Sequence, residues 1–82
     1  MWRTLIYFKP EYIGLAEKLR DNYIAHQIEA DIISEEEQDD IEYAREKQYD
    51  EAIFIEDFNT VIIHDIKSSY TNRCPVSDVF YQ

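Results

Sequence analysis

Between Glu29 and Glu42 the chain carries eight carboxylates (Glu29, Asp31, Glu35, Glu36, Glu37, Asp39, Asp40 and Glu42) and no Lys or Arg. Side chains of this kind at this density suit two kinds of chemistry: holding a divalent cation, or docking a basic partner. A calcium loop needs oxygen ligands at fixed alternate positions with a glycine at its sharp bend. The only glycine in the chain is Gly14, well before the run, so docking is the better of the two readings. A plainer explanation stands beside both. Ser34 followed by Glu37 has the spacing of a capping box, and Glu35 and Glu36 sit where the positive end of a helix dipole favours anions. On that view the run is the solvated start of a helix.

The remaining reactive side chains are scattered. His26 and His64 each fall inside a β-prone segment and have no second ligand at zinc spacing, so each reads as a sheet residue with a hydrogen-bonded ring. Asp65 follows His64 directly and must point to the opposite face. Cys74 lies in a turn-rich stretch beside Arg73, a setting that would lower a thiol pKa. No nucleophile, base and oxyanion donors form a recognisable set, and no glycine pattern cradles a phosphate. We therefore expect no catalytic, cofactor-binding or metal-binding residues and no cofactor. Tyr12 and Tyr23 fit core packing better than base stacking.

Composition bounds the partners. The 82 residues suffice for one domain with one core, burying about 60 to 65% of the surface that the unfolded chain exposes. Eighteen acidic against eight basic side chains give a net charge of −10. That mean field repels tRNA and DNA and disfavours a membrane surface. A basic protein partner is favoured. One cysteine cannot make an internal disulfide, and the apolar run Leu5 to Phe8 is too short for a signal-peptide core or a membrane span. These features suggest a soluble cytoplasmic domain.

Six elements must position whatever the acids do. Arg3 to Phe8 is a continuous β-prone run, as in a strand covered on both faces. Pro10 suits a first helical position, and Tyr12, Leu15, Ala16, Leu19 and Tyr23 then draw one apolar stripe along a helix that should end near Asp21 and Asn22. Ile24 to Ile33 alternates as a strand with one wet face. The capping box at Ser34 should start a second, thinly apolar helix docked by Ile41 and Ala44, with Tyr43 at its border. Ala52 to Glu56 and Val61 to Ile66 read as a hairpin joined through Asp57 to Thr60, with Asn59 at positive φ. Residues 68–75 read as irregular, and Ser77 to Gln82 as either a helix capped by Ser77 or an edge strand. The expected fold is α/β: a mixed, mostly parallel sheet in the order β-α-β-α-β-β plus a tail.

Three stretches carry a family resemblance. LAEKLRDNYIA (Leu15 to Ala25), IEYAREKQYDEAIFIED (Ile41 to Asp57) and NTVIIHDIKS (Asn59 to Ser68) resemble the C-terminal anticodon-binding domain of class II aminoacyl-tRNA synthetases. Similarity is closest to the histidyl-tRNA synthetase branch, which includes the regulatory subunit of the short-form ATP phosphoribosyltransferase. The first stretch is similar to a helix end of the form LAxxLRxxGI. Where members carry glycine after each helix, this chain has Tyr23 and Tyr49.

The resemblance implies an anticodon-binding-like fold and a non-catalytic, regulatory role in histidine biosynthesis through assembly with the catalytic subunit of that transferase. Such domains normally end a longer chain, so the natural protein is expected to extend beyond Met1. In open α/β sheets the binding edge lies beyond the C-terminal ends of the parallel strands. Lys9, Asp31, Glu35, Glu36, Glu56 and Asp57 are expected there, a balance that repels RNA phosphates. The candidate partner-binding residues are therefore Asp31, Glu35, Glu36, Asp39, Glu56 and Asp57. Two rival functions remain: an anticodon-binding domain of a histidyl-tRNA synthetase-like protein that uses Arg3, Lys9, Lys67 and Arg73, and a free-standing acidic protein that occupies a basic surface as a nucleic-acid mimic.

Overall fold

The computed structural model describes residues 1–82. Its centre is β1 (Arg3–Phe8), in which Leu5, Ile6, Tyr7 and Phe8 are all buried. A strand covered on both faces needs no alternation, which accounts for the unbroken apolar run. It pairs in parallel with β2 (Glu29–Ser34) on one side, from Arg3 opposite Glu29 to Phe8 opposite Ser34. On the other side it pairs in parallel with β3 (Glu51–Ile55), with Tyr7 opposite Phe54. Next to β3 lies antiparallel β4 (Thr60–Asp65), and next to that antiparallel β5 (Thr71–Pro75). The sheet order is β2-β1-β3-β4-β5.

The sheet is therefore mixed in equal parts, two parallel and two antiparallel pairings, and not mostly parallel as expected. The difference comes from β5, which forms in the stretch expected to be irregular. Thr71 to Pro75 has little apolar character of its own. It is a strand because β4 offers an unpaired edge and a tight turn returns the chain to it. In that turn Asp65 Oδ1 accepts from the amides of Lys67 and Ser68, and Ser69 takes the left-handed conformation.

Helix α1 (Ile13–Ala25) follows a single 3-10 turn that Pro10 opens. Its stripe is the expected one, with Ala16, Leu19 and Tyr23 buried against Ile6 and Ile53. Its end is not. The helix runs past Asn22 to Ala25, so β2 begins at Glu29 and His26 closes a helix instead of lying in a strand. The stop is a left-handed residue at Gln27, with φ of 64°. The amide of Ile28 donates to the Tyr23 carbonyl and that of Gln27 to the Ile24 carbonyl, both at 3.0 Å, which is the Schellman arrangement. Asn22 instead grips the tail, its side chain exchanging two hydrogen bonds with the backbone of Tyr81.

The second helix is shorter than the acidic run implied. Ser34 ends β2, residues 35–37 form a turn, and α2 spans only Ile41–Glu46. Its cap is Asp40, whose Oδ1 accepts from the Glu42 amide at 3.0 Å. The expected capping box at Ser34 and Glu37 does not form: Ser34 is the last residue of a strand, and its Oγ accepts from the Glu36 amide within the turn that follows. The helix ends in a second Schellman pair, Tyr49 amide to Ala44 carbonyl and Gln48 amide to Arg45 carbonyl, with Gln48 left-handed. Asn59 is not among the positive-φ residues; Asp57 Oδ1 accepts from its amide and closes the β3–β4 hairpin instead.

The two helices lie on opposite faces of the sheet, as two crossovers of one hand require when the chain steps first to one side of β1 and then to the other. Under α1 the core is completed by Val76 and Val79 from a final 3-10 turn, so the C-terminal segment is neither the helix nor the edge strand considered above. Under α2 the core is smaller, with Leu5, Tyr7, Ala44, Ala52 and Ile66 buried. Tyr7 ties this face together: its ring stacks on Phe54 and its hydroxyl donates to the Asp40 carbonyl at 2.8 Å.

Two outcomes follow for stability. Gln27→Gly and Gln48→Gly should each stabilise the domain by roughly 0.5–1 kcal/mol in urea titrations, because the left-handed cost to a residue with a Cβ outweighs the added chain entropy. Tyr7→Phe should cost about 1–2 kcal/mol by stranding a carbonyl, and should speed amide exchange in Ile41–Glu46 more than in α1.

Candidate functional site

At the C-terminal ends of the parallel strands the chain leaves β1 at Lys9, β2 at Glu35 and β3 at Glu56. All three continue the row of side chains on the α2 face. Since α2 is six residues long, it covers only part of that face and leaves the rest open. The result is a shallow cleft of about 330 Å³ lined by Lys9, Glu35, Phe54, Glu56, Ile62 and His64, with Ile55 behind. Phe54 and Ile62 face each other across the β3–β4 pairing and make the floor. This is also the position where the sheet order reverses, between β1 and β3, the usual place for a ligand in an open α/β sheet.

Each wall has a local cause. Glu35 is held where its amide donates to the Phe8 carbonyl at 2.8 Å, prolonging the β1–β2 ladder by one step. Glu56 ends β3 with its amide on the Thr60 carbonyl. Its Oε1 pairs with the Arg73 guanidinium, while its Oε2 is sealed from solvent and has no hydrogen-bond partner. His64 stands edge-on to Phe54, with Nδ1 2.9 Å from the Thr71 hydroxyl, and its partial burial lowers its pKa below the usual 6.5. The imidazole is thus neutral at pH 7. Beneath the cleft, burial pushes the Tyr7 hydroxyl up to about 12, so it stays a proton donor throughout the physiological range.

Of the expected partner-binding residues, the structure brings Glu35 and Glu56 into the cleft and sets Glu36 and Asp57 on its outer rim. Glu36 is exposed in the turn after β2, and Asp57 opens the hairpin after β3. Asp31 is not at this rim. It lies opposite Leu5 in mid-strand and accepts the Tyr49 hydroxyl at 2.7 Å. Asp39 is exposed in the loop before α2 and takes no part in the cleft wall. Arg73 arrives instead, carried by the unforeseen β5. The rim balance becomes four carboxylates (Glu35, Glu36, Glu56, Asp57) against two cations (Lys9, Arg73), one of them already paired with Glu56.

The sequence reading also missed Phe58. At the tip of the β3–β4 hairpin its ring is 63% exposed and meets Tyr12 edge-on at 4.7 Å, with Asp57 beside it. An aromatic residue at a hairpin tip, preceded by two acids, was the available signal. Cys74 is corrected in the other direction. Partial burial raises its thiol pKa, Asp78 and Glu51 add to the effect, and the neighbouring Arg73 points to the opposite face toward Glu56. Nowhere do three His, Cys, Asp or Glu side chains converge at metal-ligand spacing. No helix is long and apolar enough to cross a membrane.

His64 gives the cleft a pH signature. A histidine whose pKa falls on folding favours the folded state while neutral, so this contribution is present above 6.5 and is lost as pH drops through the folded value. Between pH 7 and pH 5 the wild type should therefore lose more stability than His64→Asn does, measured as the difference between their urea midpoints across that range.

When this chain is compared with known proteins, no protein-family model matches it and no curated protein matches it at a significant level.

Proposed function

We propose that this chain is a non-catalytic accessory domain that works by protein–protein assembly, binding a basic partner through the rim at the C-terminal ends of β1, β2 and β3. The observation that carries the reading is the pairing of an exposed aromatic side chain, Phe58, with four rim carboxylates of which only Glu56 has a cationic partner within the chain. Exposed aromatic side chains are the usual anchors of protein interfaces. Carboxylates around such an anchor select a basic counterpart and speed its approach.

The finer assignment rests on the sequence resemblance. It makes this an anticodon-binding-like domain that has given up tRNA, and it names the partner as an ATP phosphoribosyltransferase catalytic subunit in cytoplasmic histidine biosynthesis. The strand order and the alternation of helices with the first three strands are compatible with it. Against the tRNA reading, phosphate contacts need clustered cations. Arg3 is engaged with the Lys47 carbonyl and the Tyr49 ring, Arg73 with Glu56, and Lys67 lies near Asp50, so Lys9 alone is left at the rim.

The test is a pair of measurements on the same preparation. The chain should retain the catalytic subunit in a pull-down, and Phe58→Ser should weaken that complex at least tenfold while lowering the urea midpoint only by the loss of the edge-on Tyr12 contact, about 0.5–1.5 kcal/mol. In a low-salt gel shift, histidine tRNA should form no complex. Retention of tRNA together with loss of the subunit would replace this reading with the anticodon-binding one.

A further inference from the structure

A second surface, sharing no lining residue with the cleft, lies along β2, which has β1 as its only neighbour in the sheet. The amide of Glu29 donates to the Trp2 carbonyl and that of Glu35 to the Phe8 carbonyl, so odd-numbered residues of this segment turn their backbone groups toward β1. With a period of two, the N–H and C=O groups of Ala30 and Ile32 point away from the sheet. Ala30 lines a groove of about 410 Å³ together with its neighbours Ile28, Glu29 and Asp31, overhung by Ile24 and Gln27 from the end of α1, and Ile32 continues the same edge beyond it. A groove lined by consecutive strand residues is an open backbone edge.

The two sides of this edge differ chemically. On the α1 side Ile28, Ala30 and Ile32 belong to the core, and Ile24 beside them is 53% exposed. On the α2 side stand Glu29 and Asp31, with the Arg3 guanidinium 3.4 Å from Glu29 as their one cation. A strand added here would set alternate side chains against an apolar shelf and against carboxylates.

We propose that the free edge of β2 takes an extended segment of a partner protein in which apolar and basic residues alternate, the segment pairing as a sixth strand through Ala30 and Ile32. A second copy of this chain is the wrong occupant. It would bring Glu29 and Asp31 against like charges across the seam, between two bodies each of net charge −10. Backbone pairing supplies the affinity in such strand addition, and the alternate side chains supply the selectivity.

The probe is a capped peptide of alternating lysine and valine about as long as β2, followed by amide hydrogen exchange and chemical shifts on the whole chain. The amides of Ala30 and Ile32 should slow at least tenfold at saturating peptide, and the apparent affinity should fall as salt is raised. A peptide of the same sequence N-methylated at alternate residues leaves the protein untouched and should not bind. Glu29→Lys should weaken the unmethylated peptide several-fold. Equal binding of the methylated peptide would overturn the proposal, as would binding of a glutamate–valine peptide or protection confined to β5 or the cleft. Slowing at Ala30 and Ile32 that grows with protein concentration in the absence of peptide would name a second copy as the occupant and overturn it likewise.

Discussion

The double pairing of β1 is the constraint on which the rest of the molecule depends. Six residues, nearly all buried, bond in parallel to β2 on one edge and to β3 on the other. To reach both neighbours the chain must cross first one face of the sheet and then the other, which places α1 and α2 on opposite sides. The same step sends the connection after β1 over one face and the connection after β2 over the other, so the place of the cleft follows from the strand order. Its chemistry is a separate matter, supplied by whichever residues follow the strands: Lys9, Glu35 and Glu56.

The two faces of the sheet are unequally covered, and this asymmetry separates core from surface. A thirteen-residue helix and the C-terminal turn close the first face over a large apolar cluster. A six-residue helix closes only part of the second. There the docking relies on one buried phenol, Tyr7, which donates to the loop before α2 while its ring supports Phe54. The cleft floor therefore shares its packing with the least extensive part of the core. A change in the floor should be felt in α2 and the reverse.

Both helices end in the same way, with glutamine in the left-handed position where glycine is the usual residue. The motif holds because each stop is reinforced beyond the dihedral itself. Ile28 packs with Tyr23 in the large core, and Tyr49 lies under the Arg3 guanidinium, against the smaller one. Tertiary contacts thus offset a local backbone cost. The tail is held similarly, by Asn22 acting on the backbone of Tyr81 and by aromatic contact between Tyr81 and Tyr23.

Local patterns alone determined a good part of this protein. The unbroken run from Leu5 to Phe8, the helical stripe from Tyr12 to Tyr23 and the β3–β4 hairpin were legible because each encodes its own burial within a few residues. The acidic character of the strand ends was legible for the same reason, since Glu35, Glu56 and Asp57 directly follow strands. What only the tertiary structure decided depended on distant partners. Thr71 to Pro75 became a strand because β4 had a free edge. Ile24 and Ala25 stayed helical because the stop lay at Gln27, and Asp31 left the rim because β2 began later than its alternation suggested. The cleft itself, with Phe54 and Ile62 as floor and Lys9 and Glu35 beside them, joins residues of β3 and β4 with those that follow β1 and β2, and Arg73 of β5 reaches it only through Glu56. Their meeting is a consequence of strand register and of a helix too short to cover them, neither of which a single stretch of sequence records.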